Sequence, residues 1–449
     1  MARLVIVSNR VPAPRPRGRA QAGGLAVALK QALARRQALW FGWSGTVGPR
    51  TSDAPHVATV GTTTYATLDL TAEEHRRYYT GFANGTLWPV LHWRMGLTEF
   101  HADDYAVYRA VNALFADVLA KLLRPDDLVW VHDFHLIPLG AALRAQGFGG
   151  RIGFFLHVPF PPPALFEALP RGAELLRDLD AYDLVGMQTT QDAGHLNGAL
   201  AGQGLQPRAR AFPIGIDADG FTAEAARAAA GADGRRLRDS LGERALILGA
   251  DRLDYSKGLP HRLHGFAQLL KLHPVHRRRV TLLQVAPVSR DEVAQYRALR
   301  RELDELVGRI NGQFGEPDWI PVRWITRAVP RATLAGYHRL ARVGLVTPLR
   351  DGMNLVAKEF VAAQDPADPG VLVLSRFAGA AEQLSGAVQV NPHDPDDIAG
   401  GLHAALTMAA ADRLHRWQGD IATVRSGSAA AWAAKFLEAL EAGPKAKAA

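Results

Sequence analysis

Short apolar runs of Val, Ile, Leu and Phe recur along this chain, bounded by Gly, Pro, Asn or Asp and separated by stretches of helical periodicity. A run without polar alternation is buried on both faces, which is the pattern of parallel strands covered by helices. The spacing predicts strands at 4–8, 128–132, 152–157, 184–188 and 210–214. A second series follows at 246–250, 281–285, 322–325, 343–347, 371–374 and 388–390. Strands alternating with helices in two series give an α/β chain with two doubly wound sheets.

The seam falls in 217–244, where Ala, Gly and charged residues leave little apolar content beyond Phe221 and Leu237. This stretch reads as a linker with a surface helix, so the expected domains are 1–230 and 231–440, with a disordered tail at 441–449. No repeat of 20 to 50 residues is present, which removes solenoids and propellers.

Composition excludes further classes. The 449 residues include no cysteine, so disulfides, a thiolate nucleophile and Cys-ligated zinc or iron-sulfur sites are ruled out. A reducing cytoplasm fits that usage. The net charge is +8, and of the 52 basic residues 44 are arginine and only eight lysine. The densest clusters, Arg235-Arg236-Arg238 and Arg277-Arg278-Arg279, are not interleaved with aromatics and read as solvated surface, not a nucleic-acid site. The apolar stretch at 4–7 is too short for a signal sequence, and nothing approaches the roughly 20 residues of a membrane span. The expectation is a cytoplasmic protein with neither nucleic-acid nor membrane partners.

Ligands of open α/β sheets collect at the carboxyl ends of strands. Ser8-Asn9-Arg10 ends the first run, and Gly23-Gly24 opens a helical pattern whose free N–H groups suit an anion, although such a pair also serves as an ordinary turn. His132-Asp133-Phe134-His135 and His157 follow two neighbouring runs. They lack metal-ligand spacing and better suit hydrogen bonding to a polyol. In Asp251-Arg252-Leu253-Asp254-Tyr255-Ser256-Lys257-Gly258 two cations meet at one turn, which suits a diphosphate. Thr347 through Phe360 reads as strand, Asp351-Gly352 turn and a helix beginning near Asn354, with Glu359 two turns beyond Asp351.

These segments, together with Trp40-Phe41-Gly42-Trp43-Ser44-Gly45, Trp88-Pro89, the run Phe154 to Pro161 and Gly308-Arg309-Ile310-Asn311-Gly312, occur in an order that resembles the bacterial trehalose-6-phosphate synthases from about residue 3 to residue 440. The resemblance implies the GT-B fold: two Rossmann-like domains facing across a cleft, with the C-terminal helix returning to the N-terminal domain. It also implies a retaining, metal-independent transfer of glucose from UDP-glucose to glucose 6-phosphate, with no cofactor. Position by position, Arg252 and Lys257 match the holders of the donor diphosphate, and Glu359 matches the carboxylate on its ribose. Asp351 and His157 match groups around the transferred glucose, with the N–H groups of Asn354 and Leu355 near the phosphates. Arg10, Tyr79, Trp88 and Arg290 match the acceptor phosphate pocket, Trp40 and Asp133 the acceptor sugar site, and Gly23 and Gly24 a loop that closes over both. Local departures are a short 196–212 region, Pro162 where Thr is common, Phe134 for Tyr, and Asp251 for Glu.

The resemblance is compatible with a homo-oligomer. With no phosphatase domain after residue 449, a separate phosphatase is the expected pathway partner. Two other readings stay open at this point: glycerol 3-phosphate as the acceptor, and a non-catalytic sugar-phosphate sensor of the same fold. A Gly-x-Gly-x-x-Gly dinucleotide fingerprint after the first strand is absent, which argues against an oxidoreductase.

Overall fold

The computed structural model describes residues 2–11, 29, 37–50, 52–288 and 294–444. The chain forms two compact units, residues 1–214 with 429–449 and residues 215–428.

The first unit is built on an eight-stranded sheet in the order β3-β4-β2-β1-β5-β6-β7-β8. Its strands are β1 (Leu4–Arg10), β2 (Ala38–Val47), β3 (His56–Val60), β4 (Thr63–Leu70), β5 (Leu128–His132), β6 (Arg151–Phe155), β7 (Leu184–Met187) and β8 (Ala209–Ala211). All neighbours are parallel except the β3–β4 pair. In the centre, Ile6 lies between Trp40 and Trp130, all three almost wholly buried. Helices α1 (Ala102–Ala120) and α2 (Thr190–Gly202) belong to this unit. The segment β2 to β4 was not expected. Gly42, Ser44 and Gly45 interrupt the β2 run, and β3 is exposed along its whole length, so neither carries the apolar signature of a buried strand.

The second unit holds a six-stranded parallel sheet in the order β11-β10-β9-β12-β13-β14. Its members are β9 (Ala245–Ala250), β10 (Val280–Val285), β11 (Val322–Ile325), β12 (Val343–Val346), β13 (Val371–Ser375) and β14 (Val388–Val390). Helices α3 (Ala218–Ala230), α4 (Ala232–Leu241), α5 (Leu259–Leu272), α6 (Ala294–Phe314), α7 (Arg331–Leu340), α8 (Leu355–Ala363), α9 (Pro395–Thr407) and α10 (Ala410–Ser426) complete it. One continuous core joins Ile247, Leu263, Phe266, Leu282, Leu303, Leu345 and Val373.

The expected boundary at 230/231 differs from the division at 214/215. The alanine-rich stretch after 217 is no linker: α3 buries Phe221, Ala225 and Ala229 and packs on α7 within the second unit. Small side chains let two helices approach closely, and a low-hydropathy stretch therefore conceals a packed face.

The last helix, α11 (Ala429–Ala442), returns to the first unit as expected. Phe436 stacks on Trp130 at 4.7 Å and Trp432 meets Phe155 edge-on at 5.0 Å. Gly153 makes room for this helix, because a Cβ there would stand 2.8 Å from Leu440 and 2.9 Å from Phe436. Residues 441 and 443 are ordered into the unit as well: Arg151 donates to the carbonyls of Gly443 and Glu441 at 2.5 and 3.2 Å. The expected tail is thus displaced from these residues, and 445–449 lie outside those described.

Candidate active site

In the second sheet the chain steps from β9 outward through β10 and β11, then crosses back to β12 on the other side of β9. The carboxyl ends of β9 and β12 therefore flank a topological switch point, where ligands of such sheets bind. Asp254, in the turn after β9, accepts from Ser256 N–H at 3.0 Å and from the Tyr296 hydroxyl at 3.1 Å. Gly258 follows with φ +64°, and a Cβ on it would stand 2.4 Å from the Thr347 carbonyl, so only glycine lets this turn press against the end of β12.

That contact brings Lys257 Nζ to 2.5 Å from Asp351 Oδ2, with both side chains 13% exposed. Asn354 Nδ2 donates to the same oxygen at 3.0 Å. Asn354 sits in the left-handed region at φ +77°, and its Oδ1 caps α8 by accepting from Ala357 N–H at 3.2 Å. One side chain thus starts the helix and orients the carboxylate. The first N–H groups of α8, beginning at Leu355, have no intrahelical acceptors and add positive potential at the same place.

Beneath this node Arg262 pairs with Asp251 at 2.7 Å, both wholly enclosed, and donates to Thr347 Oγ1 and Gln284 Oε1 at 3.0 Å each. The ends of β9, β10 and β12 are thereby tied together. Burial pushes the Asp251 carboxyl up, against the pull of Arg262. On another side, the backbone of 377–380 is laced to Asp351 and Met353 by three hydrogen bonds of 3.2, 3.0 and 2.7 Å. Lys358 Nζ donates to Gln383 Oε1 at 2.7 Å, and burial lowers its ammonium to about 7. Glu359, a fifth exposed and 4.0 Å from Arg331, is raised to about 7 by burial. Arg252 is exposed and forms no ion pair with the described residues.

In the first sheet the switch occurs at β1, between β2 and β5. Arg10 ends β1 exposed, its guanidinium 6.0 Å from the Trp43 ring centre. Trp43 adjoins Tyr79 at 5.9 Å and His75 at 5.3 Å, and Tyr79 stacks on His135 at 5.7 Å. Tyr79 and His75 belong to a π-helical segment, His75–Leu87, whose end has Trp88 N–H donating to Ala83 five residues back. Beside them Asp133 adopts φ +75°, a conformation costly for a residue with a Cβ. Its N–H donates to the Phe155 carbonyl at 2.8 Å and its Oδ1 accepts from His157 N–H at 3.4 Å. His132 Nδ1 and His157 Nε2 lie 3.1 Å apart. Burial takes His157 down to about 3 and His132 well below the usual imidazole range, so both are neutral.

Lys257, Asp351, Asn354 and the start of α8 at Leu355 thus converge in the second unit, and in the first Arg10, Asp133 and His157 mark strand ends, with Tyr79 on the π-helical segment beside Trp43. Two tryptophans are placed differently from expectation. Trp40 is 1% exposed inside the sheet and donates its indole N–H to Ser8 Oγ at 2.8 Å, so it shapes the end of β1 from within. Trp88 is also buried, against His92 at 4.1 Å and Phe134 at 5.6 Å. Gly23, Gly24 and Arg290 lie outside the described residues.

Sequence reasoning missed Trp43, His75, Gln188, Arg262 and the 377–383 segment. Arg262 carried a signal, a charge on the otherwise apolar face of α5, while Gln188 carried none. The arginine clusters behave as surface: Arg236 pairs with Asp233, and Arg278 with Asp318. Among the described residues no group of three or more His, Asp or Glu is arranged to hold a metal, and no helix is long and apolar enough to cross a membrane.

The glycosyltransferase family 20 model matches residues 2–442. A trehalose-6-phosphate synthase of Sinorhizobium fredii is 47% identical, the match covering 98% of this chain and 99% of the relative. A UDP-forming α,α-trehalose-phosphate synthase of Burkholderia xenovorans, solved in complex with glucose 6-phosphate, superposes with a TM-score of 0.93 at 41% identity, over 98% of this chain and 100% of that one. The E. coli protein solved with UDP-2-fluoro glucose gives the same score and identity over 98% and 99%. With two Rossmann-like units, cations gathered at their strand ends and similarity along nearly its whole length, the chain belongs to glycosyltransferase family 20.

Proposed function

We propose that the chain transfers glucose from UDP-glucose to glucose 6-phosphate, giving α,α-trehalose 6-phosphate and UDP with retention at the anomeric carbon. The observation that carries this reading is the node of Lys257, Asp351 and Asn354 at the start of α8, which also bears Glu359. It places an ammonium and a helix N-terminus together, with a carboxylate one turn along that helix, a pattern suited to a nucleoside diphosphate sugar.

In this reading Lys257, Arg252 and the N–H groups at Leu355 stabilise negative charge as it grows on the diphosphate, and fixed charge of this kind is usually the largest catalytic term. The bond from C1 to the diphosphate oxygen breaks while the acceptor hydroxyl bonds C1 from the same face. The hydroxyl proton passes to the departing phosphate oxygen. Asp351 and His157 border the transferred glucose, and Glu359 accepts from the ribose hydroxyls. Arg10 and Tyr79 hold the acceptor phosphate, joined by Arg290, with Asp133 at the acceptor sugar. Gly23 and Gly24 act at the donor.

The reaction as proposed uses protein charge in place of a metal, so activity is expected to survive a chelator. The product's phosphate is removed by a separate phosphatase, and the enzyme acts in the cytoplasm. The test is a matrix of UDP-, GDP- and ADP-glucose against glucose 6-phosphate, fructose 6-phosphate and glycerol 3-phosphate, with product configuration read by NMR. Turnover with UDP-glucose and glucose 6-phosphate to an α,α-linked product is expected. Preference for glycerol 3-phosphate, or no UDP release with any pair, overturns the reading.

A further inference from the structure

Gln188 follows β7 and is 2% exposed. Its Oε1 accepts from the Ile214 N–H at 3.0 Å, and its Nε2 lies 3.4 Å from His157 Nδ1. A peptide N–H only donates, so the bond to Ile214 fixes which end of the amide is oxygen and turns the NH₂ toward His157. An amide NH₂ only donates as well, so Nδ1 of the imidazole must accept. A neutral ring then carries its proton on Nε2, which faces His132 Nδ1 at 3.1 Å. His132 accepts there and holds its own proton on Nε2, an enclosed atom without a hydrogen-bond partner among the described residues. The direction of every hydrogen bond in this row follows from one peptide N–H, that of Ile214, the residue at which the first unit gives way to the second.

The groups facing His157 are His132, Gln188 and the carboxylate of Asp133, whose Oδ1 accepts from the His157 backbone N–H at 3.4 Å, and the aromatic rings of Phe155 and Trp432 lie against it. Among the described residues no cation is hydrogen-bonded to the His157 ring to impose a different proton placement.

We propose that Gln188 is a positioning residue for glucosyl transfer, holding His157 in the Nε2–H tautomer so that Nδ1 presents a lone pair. A sugar hydroxyl that reaches Nδ1 beside the Gln188 amide must then donate to it, which selects hydroxyls able to donate in that direction. Its catalytic consequence rests on the function proposed above, because only there does His157 border the transferred glucose. The tautomer itself is readable without activity.

The test uses full-length protein labelled with ¹⁵N at histidine, with the His157 signals assigned by their loss in His157→Phe. In the wild type at pH 7, Nδ1 is expected to be unprotonated and Nε2 protonated. Gln188→Glu keeps the shape, and its carboxylate still accepts from Ile214 while offering no donor to the ring. Nδ1 of His157 is then expected to gain a proton, with kcat falling about tenfold and the acceptor KM unchanged. A protonated Nδ1 in the wild type, or the same tautomer in both proteins, overturns the assignment. If Gln188→Glu does not fold, the wild-type spectrum still decides. A switched tautomer with unchanged kcat removes the catalytic role alone, and an inactive wild type with the expected spectrum counts against the glucosyl-transfer reading instead.

Discussion

Lys257 and Asp351 stand 94 residues apart in the chain, yet Nζ and Oδ2 meet at 2.5 Å because the turn after β9 presses on the end of β12. Removing the ammonium deprives the diphosphate of a fixed cation and leaves Asp351 with the weaker Asn354 donor. Lys257→Ala is expected to lower kcat by about 10²- to 10³-fold, measured as UDP release at saturating substrates. A variant within threefold of wild type would remove Lys257 from the catalytic machinery.

Arg10 ends β1 exposed beside Trp43, with no carboxylate among the described residues to neutralise it. Arg10→Ala should raise the KM for glucose 6-phosphate by about tenfold or more while leaving the KM for UDP-glucose nearly unchanged. Arg10→Lys should recover only part of the loss, since an ammonium lacks the planar fork. Equal effects on both substrates would argue against a phosphate role.

Glu359 separates stability from binding. Its carboxyl lies at about 7 in the folded chain against an ordinary value of 4.5. Between those values the folded chain keeps a proton that the unfolded chain has released. Stability therefore falls as pH rises through this window and levels off above it. The full effect is on the order of 3 kcal/mol. Glu359→Gln lacks this slope, so its stability relative to wild type should grow between pH 5 and pH 8 in urea titrations, while its KM for UDP-glucose rises about tenfold. A difference that does not change with pH would contradict the buried carboxyl.

Asp251 and Arg262 form an enclosed pair whose members respond differently to loss of the other. Asp251→Asn leaves a guanidinium that cannot shed its charge, at a cost of about 3–5 kcal/mol. Arg262→Met leaves a carboxyl already pushed up by burial, which takes on a proton, so the smaller loss is expected there despite the larger side chain removed. Urea midpoints of the two variants compare them directly.

Much of this architecture is written in local sequence. The run Val343 to Val346 and its kin announce strands because burial on both faces demands unbroken apolar residues. Lys257 stands out because lysine is rare in a chain that otherwise uses arginine. Other features escape because their signal is relational. β3 is legible only as the partner of β4, and α3 only as the partner of α7, whose close approach the alanines permit. Trp40 carries the composition of a binding residue, yet its place in the β2 register sends it into the sheet. Gln188 is one glutamine among many until the peptide N–H of Ile214 fixes its orientation.

The return of α11 to the first unit has a consequence for the order of events during synthesis. Domains usually fold as units from the N-terminus as the chain emerges. Here the second unit has all its strands and helices by residue 428, while the sheet face around Trp130 and Phe155 lacks Trp432 and Phe436 until the final helix is made. The unit begun first is finished last, so its apolar face stays open through most of translation. Whatever shields nascent chains from aggregation is needed longest at that face.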